Sequence, residues 1–529
     1  MFKHLFVILT LLAPVWAWAQ TPLTDPDMDY YKEQCKYIGS DYFGGRRPMT
    51  SYETITTSYL ADEMKRLGLQ PAFGDSYLQT VQVISTQSVP RGRRIQVKGA
   101  KGTYTMKFPD DVVIWTHRGQ QKVEMPQTEY VFVGFGIDAP EYDWNDFDAV
   151  DVKGKIIISM VNDPGYYDKS LFRGENMTYY GRWIYKLEEA KRRGAAGCLV
   201  LHNTAAASYA WNVCAGHEGI NYALYSPEDN DSELAFCGWL QEDAARRIFE
   251  VAGEDFDAAL SAAKRPGFKA IPLKAKSSLK MDVDYSVGET QNVAAILPGT
   301  DLKDELLVYN AHWDHFGYGE PDEKGDSIYN GAADNASGIA MVLTLAKKFL
   351  AMPERPRRSI MFLSVTCEES GLFGSAYYCN HPANGFPMDK TVAIINFDCI
   401  APMAATHDVP ILGGGECDLD LRYQAAAAAQ GRYTVIDNNN QDGWFFRSDH
   451  HNFIQHGVPA VVIRNGKDFI DPEIGAQVPS MLSWYHRPCD EYSDDWELSG
   501  TEQLLRLSFS VGLGIVNGND RPYWFKKRK

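Results

Sequence analysis

Cations are scarce in this chain: 52 lysines and arginines stand against 69 aspartates and glutamates, for a net charge of -17. Binding a phosphate backbone needs clustered positive charge. The one basic run, Lys526-Lys527-Arg528-Lys529, reads as a solvated tail, so nucleic acid is excluded as a partner. Cysteines at metal or redox spacing are missing too, since the nine present are scattered without a Cys-x-x-Cys. An odd number leaves at least one thiol unpaired in an oxidising compartment, and the sequence leaves open whether Cys214 and Cys237 join. Low-complexity tracts and repeats are lacking. Past residue 20, no apolar stretch approaches the roughly 20 residues a membrane-spanning helix needs, so stable membrane insertion is not expected. The sequons at Asn176 and Asn335 read as chance occurrences.

What is present begins with Lys3 and His4, an apolar run from Leu5 to Trp16, and Ala17-Trp18-Ala19 ahead of Gln20. That order is the layout of a cleavable secretory signal. Residues 1–19 are therefore expected to be removed and the protein exported, to a periplasm or out of the cell. The remaining length, about 500 residues, exceeds one compact core and predicts two or three domains. An apolar fraction of 45% is that of an ordinary globular protein.

From Asp27 to about Leu69, apolar residues such as Ala61, Met64 and Leu67 recur at helical spacing, and Gly68 supplies a stop. From Tyr77 to about Thr128 the chain turns strand-like, as in the alternating Arg94-Ile95-Gln96-Val97. Tyr130-Val131-Phe132-Val133 then runs into Gly134, and Gly154-Lys155 turns into Ile156-Ile157-Ile158. With a helix over Tyr185–Arg193 and a strand over 194–201, this stretch predicts a compact α/β insert. After about Val287 the order becomes strand, loop, helix. Leu306–Tyr309, Ile360–Val365, Val392–Phe397 and Ala460–Ile463 are apolar runs too short for helices, as expected of central strands in a covered sheet. Ser337–Leu350 and Leu419–Ala429 read as helices. The alternation predicts an α/β fold, an open mixed sheet flanked by helices, with ligands bound beyond the carboxyl ends of the strands.

Groups able to hold cations follow the first three of those strands: His312-Trp313-Asp314, then Glu368-Glu369, then Asp398. Gly331-Ala332-Ala333-Asp334-Asn335-Ala336-Ser337-Gly338 sets Asp334 in a small-residue loop that opens a helix, and Trp484-Tyr485-His486 brings another imidazole. Singly, each is most simply a solvated or hydrogen-bonded loop group. Jointly, acids converging from strand ends and loops would repel one another without cations among them. Imidazole nitrogen and carboxylate oxygen suit Zn²⁺, and Asp314, two residues past His312, is placed to hold the other ring nitrogen. His315 reads as a solvated loop histidine, with an accessory polar group as the alternative, and Cys367 and Cys399 as inert thiols at strand ends. Ser448-Asp449-His450-His451 reads as framework, since no Gly-x-Ser-x-Gly elbow lifts a serine above the sheet.

In combination these motifs resemble the family-28 metallopeptidases, the co-catalytic zinc family that includes bacterial aminopeptidases and glutamate carboxypeptidases. His-x-Asp, Gly-Ala-x-Asp-Asn-x-Ser-Gly, Glu-Glu with Gly-x-x-Gly-Ser, Asn-x-Asp, Ser-Asp-His and Tyr-His-x-x-x-Asp occur in family order, strongly from Val287 to Asp495. The resemblance implies two Zn²⁺ per chain, one held by His312 and Asp398, the other by Glu369 and His486. Asp334 would bridge them, next to a cis bond to Asn335. Glu368 would serve as general base, and Tyr485 as hydrogen-bond donor to the oxyanion that develops during attack. The insert, with Gly181-Arg182-Trp183 and Gly194-Ala195, resembles the protease-associated domain, a β-rich module that is not catalytic in its relatives. The expected boundaries are a signal at 1–19, the N-terminal part of the catalytic domain at 20–120, the protease-associated insert at 121–275 and the zinc peptidase domain at 276–525.

The function so implied is removal of N-terminal residues from peptide substrates. A carboxypeptidase of the same family is the alternative, with Arg447 or Arg464 as the cation at the specificity pocket. Glutaminyl cyclisation is disfavoured, because those relatives use a single zinc and keep fewer of the ligands. A binding relic of the fold would lack stoichiometric zinc. Side-chain preference and oligomeric state are not readable from the sequence.

Overall fold

The computed structural model describes residues 25–526 except 216, 218, 438, 439, 441, 442 and 465. The expected signal at 1–19 and the tail residues 527–529 lie outside the described residues. Internal contacts divide the chain into two units, the first made of residues up to 81, 289–438 and 447 onward, the second of 82–288 and 439–446.

In the first unit, Leu302–His312 lies between Arg358–Val365 and Thr391–Asn396, all parallel. The last residues of the long strand Ile271–Leu297 pair antiparallel with Arg358–Val365, and Gln70–Pro71 pairs antiparallel beyond them. The sheet is thus open and mixed, as the sequence led one to expect. Every residue of Arg358–Val365 and the second half of Leu302–His312 are buried, which is why both read as continuous apolar runs rather than alternating ones. Ser337–Leu350 and Ser499–Asn517 pack on this sheet, with Ile339, Leu343, Leu505 and Phe509 joining Leu307, Tyr309, Ile360 and Phe362 in one core. Each such side chain stabilises the fold by about 1.5–3 kcal/mol on full burial. Helix Asp25–Ile38 adds Tyr31, and Ser51–Leu67 adds Leu60 and Met64. The latter helix stops at Gly68, whose φ of 93° lets its N–H reach the carbonyls of Met64 and Lys65.

Sequence and structure part at Ala460–Ile463. Only Val462–Ile463 is strand, and it pairs with Asp408–Leu412 in a separate three-stranded sheet completed by Tyr433–Asp437. Pro459 just ahead has no N–H to give a ladder; its carbonyl accepts from Ile394 instead.

In the second unit, Lys122–Phe132, Ile156–Met160, Gly197–His202 and Phe236–Gln241 are parallel neighbours in that order. Val112–Trp115 pairs antiparallel at one edge, and residues 271–282 at the other. Helices Trp183–Arg192, Glu242–Ala252 and Phe256–Ala263 belong to it as well. The unit spans 82–288 together with 439–446, where the insert expected from the sequence spans 121–275. Residues 82–120 join it because Arg94–Gly99 pairs with 275–277 and Val112–Trp115 with 237–240. All nine cysteines are free, the buried Cys214 and Cys237 included, so that pair does not form. Among the described residues, no helix is long and apolar enough to cross a membrane.

Candidate metal centre

Strand register brings the site together. His312 ends its strand opposite Val365, and Asn310 two residues earlier lies opposite Asn396. The residues just past these ends, Glu368, Glu369 and Asp398, therefore gather at the carboxyl edge of the sheet. Asp334 arrives from the turn Ala332–Ala336, where Asp334 and Asn335 leave helical backbone angles, entered through Gly331 at φ 58°. A Cβ on Gly331 would meet the Asp334 carbonyl oxygen at 2.1 Å and the His315 ring at 2.6 Å, so glycine is needed there for space as well as for backbone conformation. The Asp334–Asn335 bond is cis, as the resemblance implied. Asn335 is fully buried; its amide donates to the Phe397 carbonyl at 2.9 Å, and its side-chain oxygen accepts from the Gly338 N–H at 3.0 Å.

Two imidazoles face three carboxylates. His312 Nε2 stands 3.2 Å from Asp334 Oδ1 and 3.5 Å from Asp398 Oδ1. His486 Nε2 stands 3.3 Å from Asp334 Oδ2 and 3.2 Å from Glu369 Oε2. Asp334 thus turns one oxygen to each histidine. Both Nε2 atoms are buried and make no hydrogen bond. Charged N–H···O contacts close to about 2.7–2.9 Å, whereas ligands about 2.0–2.1 Å from one tetrahedral zinc stand roughly 3.3 Å apart. The observed separations have the second spacing. Ligand-capable atoms of His312, Asp334 and Glu369 lie within 4.8 Å of one another, as do those of His312, Glu368 and Asp398. A third such group joins Asp334 and Asp398 to Cys399, a half-buried thiol that the sequence had set aside as inert.

The charges are as unusual as the spacing. Burial lifts the Glu368 carboxyl well above the usual carboxylate range, with Asp398 and Glu369 adding to the rise against the pull of His312. On His312, burial works against the charged form, but Glu368, Asp314, Asp334 and Asp398 outweigh it and raise the imidazole well above its usual value. His486 behaves alike, raised to about 10 as Glu369 and Asp334 overcome burial. Burial, then Asp334 and Glu369, push the Tyr485 phenol up, keeping it a donor; its ring stacks on His486 with centroids 3.7 Å apart.

Asp314 does more than its spacing suggested, and differently. His312 Nδ1 bonds the Asp314 carbonyl oxygen at 3.1 Å, while the carboxylate is 3.7 Å away. That carboxylate instead accepts from the backbone N–H groups of Glu368 at 3.0 Å and Glu369 at 3.4 Å, fixing the turn that presents both glutamates. His315 is not solvated: it is buried, and its Nδ1 lies 2.7 Å from Glu369 Oε1. Asp449 is buried and accepts from Ser375 Oγ at 2.6 Å, and burial pushes its carboxyl up to about 7. Two supports were missed. The carboxylate of Asp490 accepts from Ala333 N–H at 2.8 Å and Asp334 N–H at 3.0 Å. Buried Arg46 donates to the carbonyls of Trp313, Asn330 and Gly331, tying together the loops that carry His312 and Asp334. The place of Asp490 in the Tyr-His-x-x-x-Asp motif was a signal for it. Nothing near Arg46 in the sequence was.

Residues 292–508 match peptidase family M28. Over that stretch the chain is similar to this family. Among its relatives, mouse aminopeptidase NAALADL1 is 29% identical over 140 residues, covering 25% of this chain and 17% of that protein. The glutamate carboxypeptidase 2 homolog of Caenorhabditis briggsae is 23% identical over 304 residues, covering 49% of this chain and 36% of that one. The alignments thus span well under half the length of these curated relatives. Among solved structures, the aminopeptidase from Aneurinibacillus sp. strain AM-1 aligns over 93% of this chain and 96% of its own, at 17% identity and a TM-score of 0.49.

Proposed function

We propose that this chain is a zinc aminopeptidase whose centre holds two ions, one on His312 and Asp398, the other on Glu369 and His486, with Asp334 shared. The observation that carries the reading is the pair of buried, unbonded Nε2 atoms set 3.2–3.5 Å from carboxylate oxygens. Nitrogen and oxygen donors in this number fit zinc, and a carboxylate shared between two cations offsets their repulsion. The chemistry such a pair supplies when bound is Lewis acidity toward a carbonyl and an acidified attacking water.

The protein's own groups do the rest. Glu368, beside His312 and Asp398, takes the proton from the attacking water and hands it to the departing amine. A carboxyl lifted by burial serves both steps better than an ordinary one. Asp314 holds the Glu368 and Glu369 backbone through two N–H groups, and Tyr485 donates to the oxygen that becomes negative. Action at the amino end is supported by the surplus of carboxylates, which suits an ionised amine. It is supported also by Arg464, whose guanidinium lies 3.6 Å from Asp437 and so is partly compensated as a receptor for a substrate carboxylate.

Peptides with free and with acylated amino ends separate the readings. The free-amine series should be cleaved one residue at a time. Cleavage of acylated peptides from the carboxyl end would replace aminopeptidase by carboxypeptidase action, and a protein without stoichiometric zinc would be a binding relic. Our reading includes export, supported by the residue pattern of 1–20. It also includes a protease-associated identity for the second unit, supported by the Gly181-Arg182-Trp183 and Gly194-Ala195 pattern.

A further inference from the structure

The His315 ring is engaged by a carboxylate that the metal reading also uses. Its Nδ1 lies 2.7 Å from Glu369 Oε1, while Glu369 Oε2 faces His486 Nε2 at 3.2 Å. The two oxygens of one carboxylate therefore have separate tasks, and since an ionised carboxylate only accepts, Nδ1 must carry the proton between them. The ring has no room to turn away. Gly331 abuts it so closely that a Cβ there would reach its Cγ and Cδ2 at 2.6 Å. Phe316 meets it on another side with centroids 4.9 Å apart, and the same Phe316 ring stands 4.6 Å from that of His486. The main-chain N–H of His315 is donated to the carbonyl of Arg46, the residue that ties the His312 and Asp334 loops.

We propose that His315 is a positioning residue for the metal centre: its Nδ1–H holds Glu369 Oε1 so that Glu369 offers Oε2 alone to the ion shared with His486. This rests on the two-zinc reading above. Without the contact, the Glu369 side chain is free to rotate or to turn both oxygens inward. Outer partners of this kind are worth roughly 10–100-fold in metal affinity when removed. The effect should fall on the ion at Glu369 and His486 and leave the one at His312 and Asp398 in place.

Three substitutions separate hydrogen bonding from packing. His315→Asn keeps an N–H donor at the Nδ1 position and loses half the ring; His315→Phe keeps the ring and loses the donor; His315→Ala loses both. Zinc per chain is measured after dialysis against graded chelator, alongside the melting temperature of the metal-free forms. The wild type should hold two zincs. His315→Phe and His315→Ala should release the second at roughly 10–100-fold lower chelator and keep the first, while His315→Asn stays close to wild type. If His315→Phe holds both ions as tightly as wild type, or His315→Asn loses the second as readily as His315→Phe, the inference is overturned alone. A wild type that binds no stoichiometric zinc brings down the two-zinc reading, and this one with it.

Discussion

The two units solve the same problem at their strand ends in opposite ways. Both contain parallel, fully buried strands, and in both the chain leaves those strands through polar residues. In the second unit these residues are satisfied internally. Asp163, three past Ile156–Met160, accepts from Gly165 N–H, Thr178 N–H and Thr178 Oγ at 3.0, 2.7 and 2.6 Å. The carbonyl of Asn162 takes the Lys186 ammonium, and Asn203, just past Gly197–His202, caps the next helix through Ala206 N–H. In the first unit the strand-end His312 and the loop-borne His486 each leave Nε2 buried and unbonded among carboxylates. Buried polar groups are almost always paired. A polar strand end is thus structural where its atoms find partners within the chain, and points to a ligand where they do not.

The sharpest way to break this comparison is at adjacent residues of the first unit. Glu368→Gln should keep both zincs and lose turnover by about 10²–10⁴ or more, because general-base catalysis alone is worth that range and the same group also delivers the proton to the amine. Glu369→Gln should weaken one metal site directly. Equal metal loss in both, or a Glu368→Gln enzyme retaining more than about a tenth of its activity against that range, would reverse the two roles. Metal removal comes next in size. Held at free zinc about 100-fold above both dissociation constants, the protein should gain about 2.7 kcal/mol of stability for each site filled, relative to the chelated form. Calorimetry with and without chelator reads this difference, and an unchanged melting temperature would count against the site.

How much of this could be read beforehand depended on distance along the chain. His312 ends a buried strand, and Glu368, Glu369 and Asp398 follow one within a few positions, so the apolar runs announced where these four would stand. The helices Ser337–Leu350 and Leu419–Ala429 were legible because their apolar periodicity and stops are local. Arg46 was not, since its carbonyl partners at 313, 330 and 331 are brought to it only by tertiary packing. The pairing of Arg94–Gly99 with residues 275–277 is of the same kind, and no local pattern records it. His315 was misjudged because its partner, Glu369, comes from the neighbouring strand's end rather than its own.

The second unit supplies the converse test. Asp163→Ala would strand three buried donors, and each unsatisfied buried group costs about 1–3 kcal/mol. The variant should lose about 3 kcal/mol or more of stability in denaturant melts yet keep the wild-type zinc content. Loss of zinc instead would place Asp163 in the metal-binding machinery and erase the distinction drawn between the units.

The smallest expected effect concerns the charge enclosed beside Asp163. Burial pushes the Lys186 ammonium down to about 7, against the opposing pull of Asp163 and Asp146, whereas an unfolded lysine titrates near 10.4. Between these values the unfolded chain binds more protons at this position than the folded one, so stability should rise as pH increases through that window and fall as pH drops toward 7. One proton sets a ceiling of about 1.4 kcal/mol per pH unit. Other groups titrate in the same range, so the informative quantity is the difference between wild type and Lys186→Met, whose side chain has similar length and no charge. Stability measured by denaturant from pH 7 to 9 should climb more steeply in the wild type than in the variant. Parallel curves would mean that Lys186 stays charged inside the fold. The polar strand ends of the second unit would then enclose an ion pair rather than a neutral amine held by carbonyls.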